Sequence, residues 1–324
     1  MSENVEDLPE QRFLVSELQQ GKRLDIVIAE LLPSYSRARL QQWIRGGRIL
    51  VDGQTRKPKD IVKSGEEISV RPQHQIETPW QPQAIELDVV FEDESLLVIN
   101  KPAGIVCHPA AGNREGTVCN ALLHYLPTLN NVPRAGLVHR LDKDTSGIMV
   151  IAKTLSSHTQ LVRQLQARSV SRHYYALVRG EVIAGATIDA PIGRHPVNRK
   201  MMAIVNSGKE AITHYRVAQR FKHFTLLDVS LETGRTHQIR VHLSSRHLPI
   251  VGDPVYGGRL RLPPTCDDSL RQRLMNFRRQ ALHAYSLSLA HPQSGDAMHW
   301  QIDMADDMSL LLQAIQEHDE HHSD

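Results

Sequence analysis

The chain has 324 residues, 40% hydrophobic and 23% charged, an ordinary globular balance with length enough for two domains. It holds no apolar run long enough to span a membrane, and its polar, acidic start, MSENVEDLPE, is unlike a secretory signal, so a cytoplasmic protein is expected. The net charge of +2 divides into acidic tips and a basic body, 37 bases against 28 acids over residues 13–316, which suits a polyanion met through the folded surface.

Residues 13–72 read as one compact unit. GKRLDIVIAELLP is a helix with Leu24, Ile28 and Leu31 on one face, stopped at Pro33. Ser36 is placed to cap a second helix, RARLQQWIRGG, with Leu40, Trp43 and Ile44 inward and Arg37, Arg39, Arg45 and Arg48 around it. The strands RILVDG and EEISVRP follow, joined by a turn. Arginine forks match phosphate oxygens in pairs, so these four arginines are the candidate RNA-backbone contacts, although a solvated helix face would look the same.

QHQIETPWQPQA (73–84) has two prolines and no period and reads as a linker. After it come two strands in IELDVVFEDESLLVINKPAG, a short helix in TVCNALLHYL, the buried strand GIMVIAK, a helix near 156–168 and the strand HYYALVRG. ITHYRVAQRF and FTLLDVSLE form a hairpin, LHAYSLSLAHPQSGDAMHWQID another, and MSLLLQAIQ a last helix. Strands joined by short turns with interspersed helices predict an α+β fold with a mixed, largely antiparallel sheet. The domains are set at 13–75, a linker at 76–85, a catalytic domain at 86–316 and a disordered acidic tail at 317–324.

Cys107, Cys119 and Cys266 are far apart and make no C-x-x-C pair, so zinc, redox and disulfide frameworks are not expected. The chain lacks a phosphate loop of the G-x-x-x-x-G-K-[ST] kind, a dinucleotide turn and H-E-x-x-H, so no cofactor and no metal are expected. Two segments remain for chemistry. HRLDKDTSG (139–147) is a polar loop between two apolar, strand-like segments, a rigid mount carrying Asp142 and Asp144. LETGRTHQIRVHL (231–243) offers Arg235 and Arg240, which beside that loop would hold a carboxylate ionised, with Thr236 as the helix cap. Taken alone, each of these segments, like GDPVYGG (252–258), could be a plain turn.

The front unit, RLD…SRARLQQWIRGGRILVDG…K-P-x-x-x-V-x-x-G-E, resembles the small α/β RNA-binding domain of the ribosomal-protein "S-four" type. HRLDKDTSG, the tyrosine of SRHYYALVRG, ETGRTHQIRVH and GDPVYG, with INKPAGIVCHPAAGN upstream, resemble in order and spacing the RNA pseudouridine synthases of the large ribosomal and transfer RNA family. The likeness runs from about residue 13 to 305 and is nearest to the large-subunit ribosomal RNA type (type D). Two departures stand out: Cys107, where a small aliphatic is expected, and His173, where an acid is expected.

The resemblance implies the pseudouridine synthase fold and isomerisation of chosen uridines in structured RNA, most of all large-subunit ribosomal RNA, without cofactor. Asp142 would be the nucleophile, through a covalent adduct or a glycal, Arg240 its partner and Tyr174 the stacking partner of the base. Arg140, His139, Thr145, Arg235, His237, Gln238 and Lys101 would bind substrate. Arg140 would contact the RNA backbone or fill the place of the extruded base. The expected partner is ribosomal RNA, also within a pre-ribosomal particle, met by a monomer without membrane contact. A transfer RNA synthase and a non-catalytic RNA-binding assembly factor are the alternatives. A glycoside hydrolase of paired carboxylates leaves the front unit without a purpose.

Overall fold

The computed structural model describes all residues except 1–5, 8–9, 33–34, 36, 75–79, 110–111, 265 and 322–324, and the side chains of residues 6, 7, 38, 39, 73 and 74. The expected helix stop at Pro33, the cap at Ser36 and the side chain of Arg39 therefore lie outside the described residues. The chain forms two compact units, 1–79 and 80–324. No described helix is long and apolar enough to cross a membrane.

In the first unit, strands β1 (Gln11–Leu14), β2 (Ile49–Val51), β3 (Gln54–Thr55) and β4 (Glu67–Val70) form an antiparallel sheet in the order β1-β4-β2-β3. Helices α1 (Leu24–Leu31) and α2 (Arg37–Arg45) belong to the same core, with Leu24, Val27, Ile28, Leu40, Trp43 and Ile44 buried. The helical spacing of these apolar residues is what forces the two helices onto the sheet. Asp25 is fully buried on α1 and accepts hydrogen bonds from Arg23 (3.0 Å), Arg37 (2.9 Å) and Gln41 (2.6 Å), which ties α1 to α2. Arg37 is thus partly committed within the unit, while Arg45 is exposed.

The second unit is built on nine strands. These are β5 (Asp88–Glu92), β6 (Leu96–Lys101), β7 (Ser146–Ala152), β8 (Ser171–Arg179), β9 (Ala186–Asp189), β12 (Ile212–Arg220), β13 (Phe224–Leu231), β14 (Leu282–Ala290) and β15 (Ala297–Gln301). A small ribbon of β10 (Ile192–Arg194) and β11 (Met202–Ile204) stands apart. The sheet order is β9-β12-β13-β8-β14-β7-β6-β5, with β15 on β14. Every pair is antiparallel except β14 with β7. Helices α3 (Val118–Tyr125), α4 (Leu155–Gln166), α5 (Gln238–Ser245), α6 (Asp268–Asn276) and α7 (Asp306–His321) complete the unit. Thr117, Thr154 and Asp267 cap α3, α4 and α6 by accepting from the amides of Asn120, Ser157 and Leu270.

The fold is α+β with a mixed, largely antiparallel sheet, as the turn spacing predicts. Three sequence expectations need correction. Residues 317–321, set down as disordered tail, continue α7, because His318 is buried and its Nδ1 lies 3.0 Å from Asp267 Oδ2. The helix carrying Arg240 is entered through His237, in a left-handed conformation (φ 56°), and not through a Thr236 cap. The segment before the HRLD loop is a short 3-10 turn (Pro133–Gly136), with Leu137 joined to Ile151 by a single bridge.

All seven residues of β7 are buried, and β14 crosses it so closely that a Cβ on Gly147 would lie 2.2 Å from the Ala284 carbonyl oxygen. Gly147 also has φ 122°, open to glycine and strained for other residues. Gly147→Ala is therefore expected to destabilise the unit by about 3 kcal/mol or more, read as a lowered thermal midpoint. An unchanged midpoint overturns the claim that contact here sets the strand spacing.

Candidate active site

The HRLD loop leaves the sheet just before β7, and its neighbours on both sides of Asp142 are pinned. His139 Nε2 accepts from the Val150 amide at 3.1 Å, so that nitrogen carries no proton; burial also pushes the ring down to about 3. Leu141 is held twice by Cys107, whose Sγ donates to its carbonyl (3.2 Å) and accepts from its amide (3.3 Å). Burial pushes the Cys107 thiol up, which keeps it in the protonated form that can donate. The unexpected cysteine of the sequence is therefore a brace one residue from the candidate nucleophile.

Lys101 is fully buried, and its Nζ donates to the carbonyls of Pro102 (2.7 Å), Ile105 (2.9 Å) and Lys143 (3.0 Å). Burial pushes the ammonium down to about 8. The expectation that Lys101 touches substrate is corrected here: its donors are taken up by the chain, and it clasps the far side of the loop. Arg279 donates to the Asp144 carbonyl at 3.3 Å while paired with Asp307, and the Thr145 amide donates to the Asp142 carbonyl at 3.1 Å.

The Asp142 carboxylate is about one-sixth exposed, with Arg240 Nη1 3.0 Å from Oδ2 and His237 Nε2 4.0 Å from Oδ1. Arg240, on α5, is itself fixed by Asp253, whose two oxygens accept from Nε (2.7 Å) and Nη2 (2.8 Å). Its guanidinium also sits 5.1 Å from the centre of the Tyr256 ring. Burial opposes the charge on both partners of the pair. The fork outweighs it, raising Arg240 further above its ordinary range and holding Asp253 below the carboxylate range. The Tyr256 hydroxyl accepts from the Met202 amide and lies 2.8 Å from His237 Nδ1. A neutral His237 that carries its proton on Nε2, facing Asp142, accepts the Tyr256 hydroxyl proton in a hydrogen bond at Nδ1. Burial lowers the His237 ring, favouring the neutral form.

These groups open onto a cleft of about 570 Å³ lined by His139, Arg140, Asp142, Thr145, Tyr174, Arg235, His237, Gln238 and Arg240, among others. Tyr174 is 6% exposed, and burial raises its hydroxyl above the ordinary phenol range. Arg140 is exposed at the rim and makes no hydrogen bond or ion pair among the described residues. Thr145 Oγ1 accepts from Gln280 Nε2 at 2.9 Å.

Two expected substrate contacts are largely committed elsewhere. The Gln238 amide bonds Thr233, Thr213, the Ile212 carbonyl and the Arg235 amide, bracing the bend into α5. Arg235 Nε donates to the Glu210 carbonyl (2.8 Å), so Arg240 alone of the two arginines pairs with Asp142.

Asp253 was missed because GDPVYGG by itself reads as a turn, and it is one: Asp253 Oδ1 accepts from the amides of Val255 and Tyr256. Arg172, in the same cleft and 7% exposed, was missed although the alternation in SRHYYALVR sets it on the face of Tyr174 and Ala176.

Comparison with known proteins adds five findings. Residues 95–245 match the family described as RNA pseudouridylate synthase, and residues 22–68 match the S4 domain. The ribosomal large subunit pseudouridine synthase D of Pseudomonas aeruginosa is 55% identical over 297 residues, 92% of this chain and 93% of that one. The protein of the same name from Escherichia coli K12 is 50% identical over 311 residues, 96% and 95% of the two chains. Among solved structures, human RNA pseudouridylate synthase domain containing 4 superposes with a TM-score of 0.56 at 25% identity, covering 71% of this chain and 93% of its own.

Proposed function

The chain belongs to the RNA pseudouridine synthase family, and on that premise we propose that it isomerises uridines of large-subunit ribosomal RNA with Asp142 as the reacting carboxylate. The observation that carries the residue assignment is the anchored carboxylate in the cleft, with Arg240 Nη1 at 3.0 Å and Tyr174 on the cleft wall. The ribosomal target rests on the relatives, whose names specify the large subunit.

The reaction breaks the bond from ribose C1′ to uracil N1, turns the ring and joins C1′ to C5; the C5 proton leaves and N1 gains one. Product and substrate have the same atoms, so no electron carrier or energy source enters the balance. Asp142 serves either by adding to C1′ or by taking the C2′ proton to give a glycal, and both need an ionised carboxylate held still. Arg240 keeps it charged and aimed. The Tyr174 ring stacks on the uracil, and its hydroxyl, kept protonated by burial, stands ready to relay protons at the ring. Arg140 fills the helix gap or grips the backbone where the nucleotide is extruded, a step that costs a few kcal/mol. His237 and Thr145 line the same cleft and bound the turning space.

The first unit, with Arg45 and Arg48 beside α2, supplies sequence-blind grip on the RNA, and the enzyme acts in the cytoplasm as a monomer, on free or pre-ribosomal RNA. Deleting residues 1–79 is expected to weaken RNA binding by at least about tenfold and to leave the single-turnover rate at saturating RNA nearly unchanged. Equal losses in both overturn that division of labour. The target is tested by mapping pseudouridine in ribosomal and transfer RNA from cells lacking the protein, then complemented with it. Sites lost and restored in large-subunit RNA support the reading; sites confined to transfer RNA move the substrate, and no changed site overturns it.

A further inference from the structure

Arg172 is a buried cation without a carboxylate. Its side chain lies on the cleft wall at 7% exposure, its Nε has no hydrogen-bond partner among the described residues, and Nη2 reaches only the Leu231 carbonyl, at 3.4 Å. Glu232, which follows Leu231 and also lines the cleft, is taken by Arg168 (2.9 Å) and His214 (2.8 Å). A guanidinium held this way has lost water and gained only one weak hydrogen bond in return. Its seat is shaped for it: a Cβ on Gly234 would lie 2.9 Å from Arg172 Nη1.

We propose that Arg172 receives a phosphodiester of the RNA, one flanking the extruded uridine; this deepens the proposed function and rests on it. Arg172 and Tyr174 share one face of β8, two residues and so about 7 Å apart along the strand. With the base against Tyr174, the next charged part of the same nucleotide is its phosphate. The unpartnered, buried Nε and the weakly used Nη2 lie on one edge of the guanidinium, the edge that matches two phosphate oxygens once the side chain turns it toward the cleft. Arg134 and Arg140 line the same cleft, so the field there favours an anion. The anionic form of the detached uracil is the other species that a cation here would hold, and the test separates the two.

The test uses the full chain and a ribosomal RNA fragment carrying a mapped site, in which each linkage near the target is replaced in turn by a neutral methylphosphonate. Arg172→Gln is expected to raise the Kd by roughly tenfold or more and to lower the salt slope of binding by about one. One methylphosphonate is expected to weaken the wild type and to have no further effect on the variant, and Arg172→Lys to recover the slope but not the full affinity. Unchanged binding, or a loss at every linkage alike, overturns the proposal. So does a variant that binds normally but reacts slowly at saturating RNA, which assigns the cation to the uracil. If Arg172→Gln does not fold, the same scan on Arg172→Lys decides, because a lost fork must show at the same linkage. Wild-type turnover of the unmodified fragment is measured alongside. Its absence counts against the proposed function, whereas turnover without linkage coupling counts against Arg172 only.

Discussion

Asp142→Asn is expected to abolish pseudouridine formation, lowering the single-turnover rate at saturating RNA by at least roughly 10⁴-fold, with RNA affinity nearly unchanged. The loop should survive the change, because its anchors are the Leu141, Lys143 and Asp144 backbone, held by Cys107, Lys101 and Arg279, and the His139 ring, held by the Val150 amide; none uses the Asp142 side chain. Arg240 also keeps its fork on Asp253. Asp144→Asn is the control: the chain holds this residue by its carbonyl, so activity should stay within a few-fold. A residual rate within tenfold of the wild type for Asp142→Asn would sink the nucleophile assignment.

Asp253→Ala is the second large effect. It removes both short hydrogen bonds from a guanidinium that is 5% exposed and leaves that charge to Asp142 alone. Breaking one side of a buried pair costs about 3–5 kcal/mol, read as a shift of the denaturation midpoint. Activity should fall about 100-fold in the molecules that remain folded, because Arg240 is then free to swing from its aim. The pH dependence has a definite sign. Burial alone would raise the Asp253 pKa, but the Arg240 fork outweighs it and holds it below 3.8. The pair therefore contributes fully above that value and loses its contribution as pH falls through the depressed one. The stability gap between wild type and Asp253→Ala should be constant near neutrality and shrink below pH 3.8. A gap that stays constant into acid removes the ion pair as its source.

Much of this was legible in the sequence, for physical reasons that also set the limit. β7 shows as an apolar run because both faces are covered, and the first unit shows as helical apolar spacing. The loop with Asp142 shows as a polar interruption between apolar segments. What stayed hidden depends on distance through space. Lys101 and Gln238 have the donors of substrate-binding residues, and only the folded chain shows that carbonyls and hydroxyls already occupy them. The Arg240–Asp253 fork joins a helix to a turn that looks self-sufficient. Helix α6 and strands β9 to β11 were not anticipated, being short and weakly patterned.

The place of β14 has a consequence for how the molecule comes into being. The strand at the middle of the sheet, residues 282–290, is made after both its neighbours, yet it must enter between β8 and β7, which are more than a hundred residues older. Until it does, Tyr174 and the Asp142 loop belong to two separate half-sheets, each with an unpaired edge. A nascent chain therefore spends most of its synthesis without an assembled catalytic centre and with two adhesive edges exposed. Closure is long-range and slow by nature. A chain cut short before residue 282 should aggregate and not persist as a weaker enzyme, because the two half-sheets join only when this strand arrives.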